Sequence, residues 1–303
     1  MRDITKEEYD LLIKNERTDH FATPFDLAYQ SFIDLGYQNK TAEFFHTNAS
    51  SFIETMREQC WKEYVPIEEE FTTRLLNKLI EYGNYETMSP VDAIKSFVSK
   101  YPQHIYALSL SNTQSRRSRA GKEFEAILEL LLIGADIPAD AQGSIGKQVF
   151  TQSGLGKLVD FVSPGVVEYI ENKRNTTLIS AKTTLRERWQ EVPEEVTRTG
   201  SREMYLATLD DGITAETLRM LYEANIIIAT TKSIRDTKYA GTRVITFEEL
   251  LEIASETAAK WNSFQYSDKD IDGMKKYLNR QIKKHTNHPY VLSYYQHRLN
   301  ELL

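Results

Sequence analysis

The sequence predicts an α/β protein with a mixed central β-sheet flanked by helices and a helical N-terminal region. Three observations support this prediction. Residues 1–110 carry apolar positions at helical spacing, residues 148–247 contain short strand-like runs, and helical segments alternate with those runs. Strands that alternate with helices usually form one sheet covered on both faces. At 303 residues the chain has room for about two domains, which we place at 1–110 and 111–303.

The N-terminal region is predicted to be helical from FDLAYQSFIDLGY and FTTRLLNKLIEYG, whose apolar residues recur three and four positions apart. Ser89 and Pro90 precede VDAIKSFV and indicate a helix start, because serine caps a first turn and proline fits its first position. The polar, basic stretch TQSRRSR at 113–119 is interpreted as a connector. A further amphipathic helix, KEFEAILELLLIG, is predicted to end at Gly134.

Short apolar or alternating runs predict the strands of the sheet: QVFTQS, LVDFV, TTLISAKTT, MYLATL, NIIIATT and RVITF. Helices are predicted at TAETLRMLYEA and FEELLEIASETAAKW, and again after Trp261. His285 and His288 form an HxxH pair without further ligands at zinc spacing, so we interpret both as surface residues.

Composition limits the class of protein. The 44 acidic and 37 basic residues argue mildly against a nucleic-acid partner, although a local basic patch can supply phosphate contacts whatever the net charge. No run approaches the roughly 18 apolar residues of a membrane helix, and the charged N-terminus lacks the apolar core of a signal peptide. The single cysteine, Cys60, excludes an internal disulfide framework. We therefore expect a cytoplasmic protein with no membrane association.

Strand alternation places an acid and a lysine on one side of the predicted sheet. In LVDFV, Asp160 shares a face with Leu158 and Val162, and in LISAK, Lys182 shares a face with Ser180. The acid on one strand could therefore meet the lysine on the next. A structural ion pair or two solvated strand ends would give the same pattern.

Two further carboxylates make metal-dependent chemistry an alternative. Glu195 lies in the predicted helix RERWQEVPEEV, and Glu125 lies in KEFEAILEL. Metal-assisted phosphodiester hydrolysis requires carboxylate ligands, which suit Mg²⁺, and a cation that holds the attacking water or offsets developing charge. Spacing alone does not establish that these groups converge.

Two charged clusters could contact nucleic acid. Arg186, Glu187 and Arg188 have the residue types that read guanine and cytosine edges, although a solvated charge run is the alternative. The second cluster, suited to phosphate contact or to a solvated helix entry, consists of Arg116, Arg117, Arg119 and Lys122. Gln114, just before it, could reach a minor groove.

The runs SRRSRAGKEFEAILELLL, VDFV and SAKTTLRERWQEVPEE together resemble the catalytic core of type II restriction endonucleases of the PD-(D/E)XK superfamily. The likeness is greatest to the SsoII-like group that cuts CCNGG, related to EcoRII, PspGI and NgoMIV. It covers residues 110–260 and is weak in the N-terminal third. The resemblance implies a restriction-endonuclease-like core within residues 111–303, followed by the C-terminal helices.

The resemblance also implies roles. Asp160 matches the motif aspartate and Lys182 the motif lysine, while Ser180 stands where most of the superfamily has an acid. In this group the following helix supplies that acid, which matches Glu195, and Glu125 matches a helix glutamate near the metal. The triplet at 186–188 matches the segment that reads the CC:GG pairs.

The implied cofactor is Mg²⁺, and the implied partner is double-stranded DNA. A homodimer would bind a palindromic site, and the dimers could associate further on DNA. A companion cytosine methyltransferase belongs to such a restriction–modification system, and residues 1–110 would serve DNA contact and dimerisation. The odd central base pair requires flipped nucleotides, for which Trp61, flanked by Arg57 and Lys62, is the candidate stacking ring. A core or surface tryptophan is the alternative.

The expected function is therefore a Mg²⁺-dependent type II site-specific deoxyribonuclease. Two alternatives remain at this stage. One is a sequence-specific DNA-binding protein that does not cut, and the other is a structure-specific DNA repair nuclease, which needs no base-reading triplet.

Overall fold

The computed structural model describes residues 3–185 and 199–302. The chain forms two compact units: the first comprises Met1–Leu27 and Glu58–Glu123, and the second comprises Ala28–Arg57 and Phe124–Leu303. Two long helices, α3 (Ala42–Glu81) and α5 (Pro102–Gly134), each contribute residues to both units.

The first unit is helical, as predicted. It contains α1 (Lys6–His20), the later part of α3, α4 (Pro90–Lys100) and the first part of α5. Its core consists of Ile4, Tyr9, Ile13, Phe71, Leu75, Leu79, Tyr101, Ala107 and Leu108. The helix start at Ser89 is confirmed, since the Ser89 hydroxyl accepts a hydrogen bond from the Asp92 backbone N–H.

The predicted connector at 113–119 is wrong, because α5 continues through it. The stretch has neither glycine nor proline to end a helix, and two of its three arginines find partners elsewhere. Arg116 pairs with the buried carboxylate of Glu68, and Arg119 donates to the Ala22 carbonyl at 2.8 Å. Partners so far away in the sequence cannot be predicted from the local sequence.

The second unit contains α2 (Pro24–Asp34, which begins in the first unit), a 3₁₀ turn at Tyr37–Asn39 and a six-stranded sheet in the order β1-β2-β3-β4-β5-β6. The strands are β1 (Asp140–Ala141), β2 (Phe161–Ser163), β3 (Thr177–Lys182), β4 (Met204–Thr208), β5 (Ile226–Thr230) and β6 (Ile245–Thr246). Strands β1 to β3 pair antiparallel, and β3 to β6 pair parallel. The predicted mixed sheet is confirmed.

The remaining helices flank this sheet. They are α6 (Gln142–Ile145), α7 (Lys147–Gln152), α8 (Val166–Glu171, followed by a 3₁₀ turn at Lys173–Asn175), α9 (Ala215–Glu223), α10 (Lys232–Lys238), α11 (Phe247–Ala259), α12 (Asp268–Lys284) and α13 (Pro289–Asn300). Residues of α7, α8 and α9 join strand residues in one buried core, and α11 contacts β2, β3 and β5. In the part of the chain that is described, no helix is long and apolar enough to cross a membrane.

Two local predictions in this unit are wrong. QVFTQS is helix α7, because Val149 and Phe150 enter the core from a helical turn, and so short an apolar run does not distinguish strand from helix. His285 and His288 are buried, at 0% and 7% exposure, rather than on the surface. His285 is covered because its Nε2 lies 3.2 Å from the buried Glu129 carboxylate.

Gly134, at the predicted end of α5, is required by packing. A Cβ there would lie 2.7 Å from the ring of Phe45, which is fully buried. Gly134→Ala should therefore lower the free energy of unfolding by about 1–3 kcal/mol, the usual cost of overpacking. Gly121→Ala, on the same helix with nothing within 4 Å of its Cβ, should instead stabilise by about 0.5–1 kcal/mol. Urea denaturation of both variants measures the difference, and equal effects would contradict this packing.

Candidate active site

The backbone of Asp160 is fixed in line with the antiparallel ladder, immediately before β2. Its N–H donates to the Ile179 carbonyl at 2.9 Å, and its carbonyl accepts from the Gln142 N–H at 2.8 Å. The side chain is therefore held beside the end of β3, as strand alternation predicts.

Asp160 and Lys182 meet at this end of β3. The Lys182 ammonium donates to Asp160 Oδ2 at 3.0 Å and to the Ala181 carbonyl at 2.9 Å. Asp160 Oδ2 also accepts from the Ala181 N–H at 2.7 Å. The two side chains are only 10% and 17% exposed, so the pair is nearly buried rather than two solvated strand ends.

Ser180, two residues before Lys182 on β3, is fully buried, and its hydroxyl has no hydrogen-bond partner among the described residues. It brings no negative charge to the site. A second acid must therefore come from another element if the site is to bind a divalent metal.

Among the described residues, Asp160 offers a carboxylate oxygen of the kind that a hard cation binds. Asp160 uses Oδ2 for both hydrogen bonds, and its Oδ1 accepts none from residues 3–185 or 199–302, which leaves a carboxylate oxygen for a metal. Glu195, the other predicted metal ligand beside it, lies outside the described residues. Glu125 is half-buried on α5. Within those same described ranges, no group of three or more potential ligands is close enough to hold an ion.

The predicted base-reading residues Arg186, Glu187 and Arg188 also lie outside the described residues. The residue immediately before this triplet is held in place, since Leu185 is 2% exposed and belongs to the core. Its backbone N–H donates to Asp210 Oδ2 at 2.7 Å. Asp210 is not among the residues predicted from the sequence, although it follows the carboxyl end of the parallel strand β4, where functional side chains of α/β sheets collect.

The predicted phosphate-contact residues lie along α5 and differ in exposure. Arg117, Lys122 and Gln114 are exposed. Arg119 is half-buried beside the Tyr64 ring, and burial lowers the pKa of its guanidinium. Arg116 is exposed but ion-paired with Glu68, so part of its charge is compensated within the protein.

Trp61 is a surface residue rather than part of the core, since 51% of it is exposed. Its ring stacks on Tyr64, with centroids 6.0 Å apart, and the Arg116 guanidinium lies 5.4 Å from its centre. A half-exposed indole of this kind is a candidate for stacking on a base. Arg57, one turn earlier on α3, is half-buried.

Comparison with known proteins places this geometry in a family. Residues 82–251 match the family model described as EcoRII C terminal. The chain is 55% identical over 303 residues to the type II restriction enzyme SsoII of Shigella sonnei, covering 100% of this chain and 99% of that protein. It is also 26% identical over 161 residues to the type II restriction enzyme EcoRII of Escherichia coli, covering 51% of this chain and 37% of that protein.

Solved structures support the same family assignment. Metal-depleted Ecl18kI in complex with uncleaved DNA superimposes with a TM-score of 0.92 at 54% identity, covering 98% of this chain and 100% of that one. The PspGI–substrate DNA complex gives a TM-score of 0.55 at 15% identity, covering 80% and 95%, and shows the fold alone. The chain belongs to the EcoRII C-terminal family and, within it, to the SsoII-like type II restriction endonucleases, whose members use a divalent metal.

Proposed function

We propose that this chain makes double-strand cuts in DNA at CCNGG with Mg²⁺ as its metal. The observation that carries the proposal is the nearly buried Asp160–Lys182 pair at the end of β3, in a chain that belongs to the type II restriction endonucleases. A pair of this kind has one carboxylate oxygen left for a metal and an ammonium close to it, which is the arrangement that phosphodiester hydrolysis uses.

Each residue of the pair has a defined task. Asp160, with Glu195 and Glu125, would hold the metal, which when bound polarises the phosphate and lowers the pKa of its water. Lys182 would orient the attacking water or offset charge that develops on the phosphate. Its two hydrogen bonds, to Asp160 and to the Ala181 carbonyl, hold the ammonium in place before the substrate arrives.

Recognition is assigned to residues outside this pair. Arg186, Glu187 and Arg188 would read the CC:GG pairs, because arginine and glutamate match guanine and cytosine edges. Gln114 would reach the minor groove. Phosphate contact is assigned to the basic residues of α5, namely Arg116, Arg117, Arg119 and Lys122.

The proposed assembly follows from the symmetry of the site. A homodimer would place one cleavage site on each strand of a palindrome, with further association on DNA and with residues 1–110 taking part in DNA contact and dimerisation. A companion cytosine methyltransferase would protect the host DNA. We place the protein in the cytoplasm, where a single buried cysteine, Cys60, remains reduced.

The test separates binding from cutting. A duplex with one CCNGG site and a duplex with a scrambled site are incubated with the protein in chelator, and then in excess Mg²⁺. The proposal expects binding of the CCNGG duplex in chelator and cutting of that duplex alone in Mg²⁺. The structure of Ecl18kI with uncleaved DNA, solved without metal, supports the first expectation.

The other outcomes identify the rival functions. Selective binding without cutting in Mg²⁺ would make the chain a DNA-binding protein. Equal cutting of both duplexes would make it a structure-specific nuclease. Either result contradicts the proposal.

Trp61 is the proposed stacking ring for a flipped central base, with Arg57 four residues before it in the sequence as the second residue of the proposed pocket. Trp61→Ala should weaken binding to CCNGG about tenfold, because stacking on an aromatic ring contributes about 1–3 kcal/mol per base. On a duplex with abasic central positions, the variant and the original protein should bind equally. Tyr106→Ala, which removes another exposed aromatic ring of the same unit, is the control and should change neither affinity. An equal loss for Trp61→Ala on both duplexes would contradict stacking.

A further inference from the structure

Asp210 lies just beyond the carboxyl end of β4 and holds two backbone groups. Its Oδ2 accepts from the Leu185 N–H at 2.7 Å, and its Oδ1 accepts from the Gly212 N–H at 2.9 Å. Its own N–H donates to the Thr208 hydroxyl at 3.2 Å. A carboxylate that accepts backbone hydrogen bonds with both oxygens has a single orientation, so the link to Leu185 is well defined.

The loop that carries Asp210 is itself fixed. The hydroxyl of Tyr239, a residue that is 3% exposed, donates to the Asp210 carbonyl at 2.7 Å and accepts from the Ile213 N–H at 3.1 Å. Asp210 therefore acts from a rigid base, which a positioning group needs.

The segment that Asp210 holds begins at the proposed catalytic lysine. Lys182 pairs in parallel register with Thr208, and the Thr208 hydroxyl donates to the Thr183 carbonyl at 3.5 Å. Residues 182–185 therefore contact β4 and the loop after it at two points. Thr208 contacts the start of this segment, and Asp210 contacts its end. In sequence, the proposed base-reading triplet starts at the next residue, Arg186.

We propose that Asp210 is a positioning residue that couples base reading to cleavage: its carboxylate fixes the backbone of Leu185 between catalytic Lys182 and Arg186. This inference rests on the proposed function of those residues. A displacement of about 1 Å in such a segment can cost roughly 10²-fold in rate. Loss of the Asp210 carboxylate should therefore change how well the enzyme distinguishes DNA sequences, beyond any effect on folding.

The experiment compares Asp210→Ala, Asp210→Asn and Asp211→Ala in the intact protein. For each, kcat and KM are measured on a CCNGG duplex and on a duplex in which one G·C pair of the site is replaced. Asparagine keeps one oxygen acceptor, so it can hold only one of the two backbone groups. Asp211→Ala removes the neighbouring, exposed carboxylate of the same loop, which lies 3.6 Å from Lys238, but leaves the Asp210 carboxylate in place.

Asp210→Ala should lower the ratio of kcat/KM between the two duplexes at least tenfold, and Asp210→Asn should lower it by an intermediate factor. Asp211→Ala should keep the ratio within about twofold. Should Asp210→Ala fail to fold, the ratio for Asp210→Asn decides in its place.

The inference is overturned if folded Asp210→Ala keeps the same ratio of kcat/KM between the two duplexes as the unmodified protein. If the alanine variant does not fold, an unchanged ratio in Asp210→Asn overturns it instead. It is equally overturned if Asp211→Ala lowers the ratio as much as Asp210→Ala does, since any change in the loop would then be responsible. Failure of the unmodified protein to prefer CCNGG would instead contradict the proposed function, so the two failures are distinguishable.

Discussion

Lys182→Ala should lower the rate of DNA cleavage by roughly 10²–10³-fold, the usual cost of removing one group that stabilises charge in a transition state. The ammonium lies 3.0 Å from Asp160 Oδ2 and is 17% exposed. Binding of CCNGG in chelator should remain close to that of the unmodified protein, because the proposed base contacts come from the following triplet and from α5.

The measurement is single-turnover cleavage with enzyme in excess, together with a gel-shift titration in chelator. Lys232→Ala is the matched control. Lys232 begins α10, just after the parallel strand β5, and its ammonium lies 3.3 Å from Glu248. It should retain cleavage within about threefold. Parallel loss of cleavage and binding in Lys182→Ala, with the fold intact, would contradict the role assigned to this lysine.

Glu129→Ala should cost about 3–5 kcal/mol of stability, the range for breaking a buried charged network. The Glu129 carboxylate is 5% exposed. It accepts from the hydroxyls of Ser144 at 2.8 Å and Tyr295 at 3.1 Å, and its Oε1 lies 3.2 Å from His285 Nε2. Chemical denaturation measures the change, and Glu252→Ala on the exposed side of α11 should stay within about 0.5 kcal/mol.

The same carboxylate predicts a dependence of stability on pH. Burial raises the pKa of Glu129, but hydrogen bonds from His285 and Ser144 and the charge of Lys284 outweigh it and lower the pKa to about 2. Because the folded pKa lies below the unfolded one of 4.5, this stabilisation is present above pH 4.5 and is lost as the pH falls toward 2. It amounts to roughly 3 kcal/mol.

Glu129→Gln cannot titrate at this position, so it should lose less stability than the unmodified protein between pH 5 and pH 2. Denaturation midpoints across that range provide the comparison. Identical pH profiles for the two proteins would show that Glu129 is not held as an ionised group in the fold.

The features that local sequence predicted correctly depend on repeating patterns. Strand alternation alone placed Asp160 and Lys182 on one side of the sheet, and the two side chains are in contact. The N-terminal helices and the mixed sheet followed from apolar spacing in the same way, because each pattern extends over several residues and only one backbone period matches it.

The features that could not be predicted depend on distant partners. The stretch 113–119 continues as helix, and two of its three arginines contact Glu68 and the Ala22 carbonyl, which are far away in the sequence. His285 is buried because Glu129 reaches it from α5. Asp210 carries no local signal for its contact with Leu185, and only the parallel pairing of β3 with β4 brings the two together.

Sequencing the ends that the protein generates from a duplex library with randomised sites shows directly whether it cuts DNA at CCNGG. We expect Mg²⁺-dependent double-strand ends that map to CCNGG and to no other sequence class, and at least a hundredfold fewer such ends with Lys182→Ala in the same reaction time. Ends spread over unrelated sequences, or an uncut library in the presence of folded protein and Mg²⁺, would contradict it.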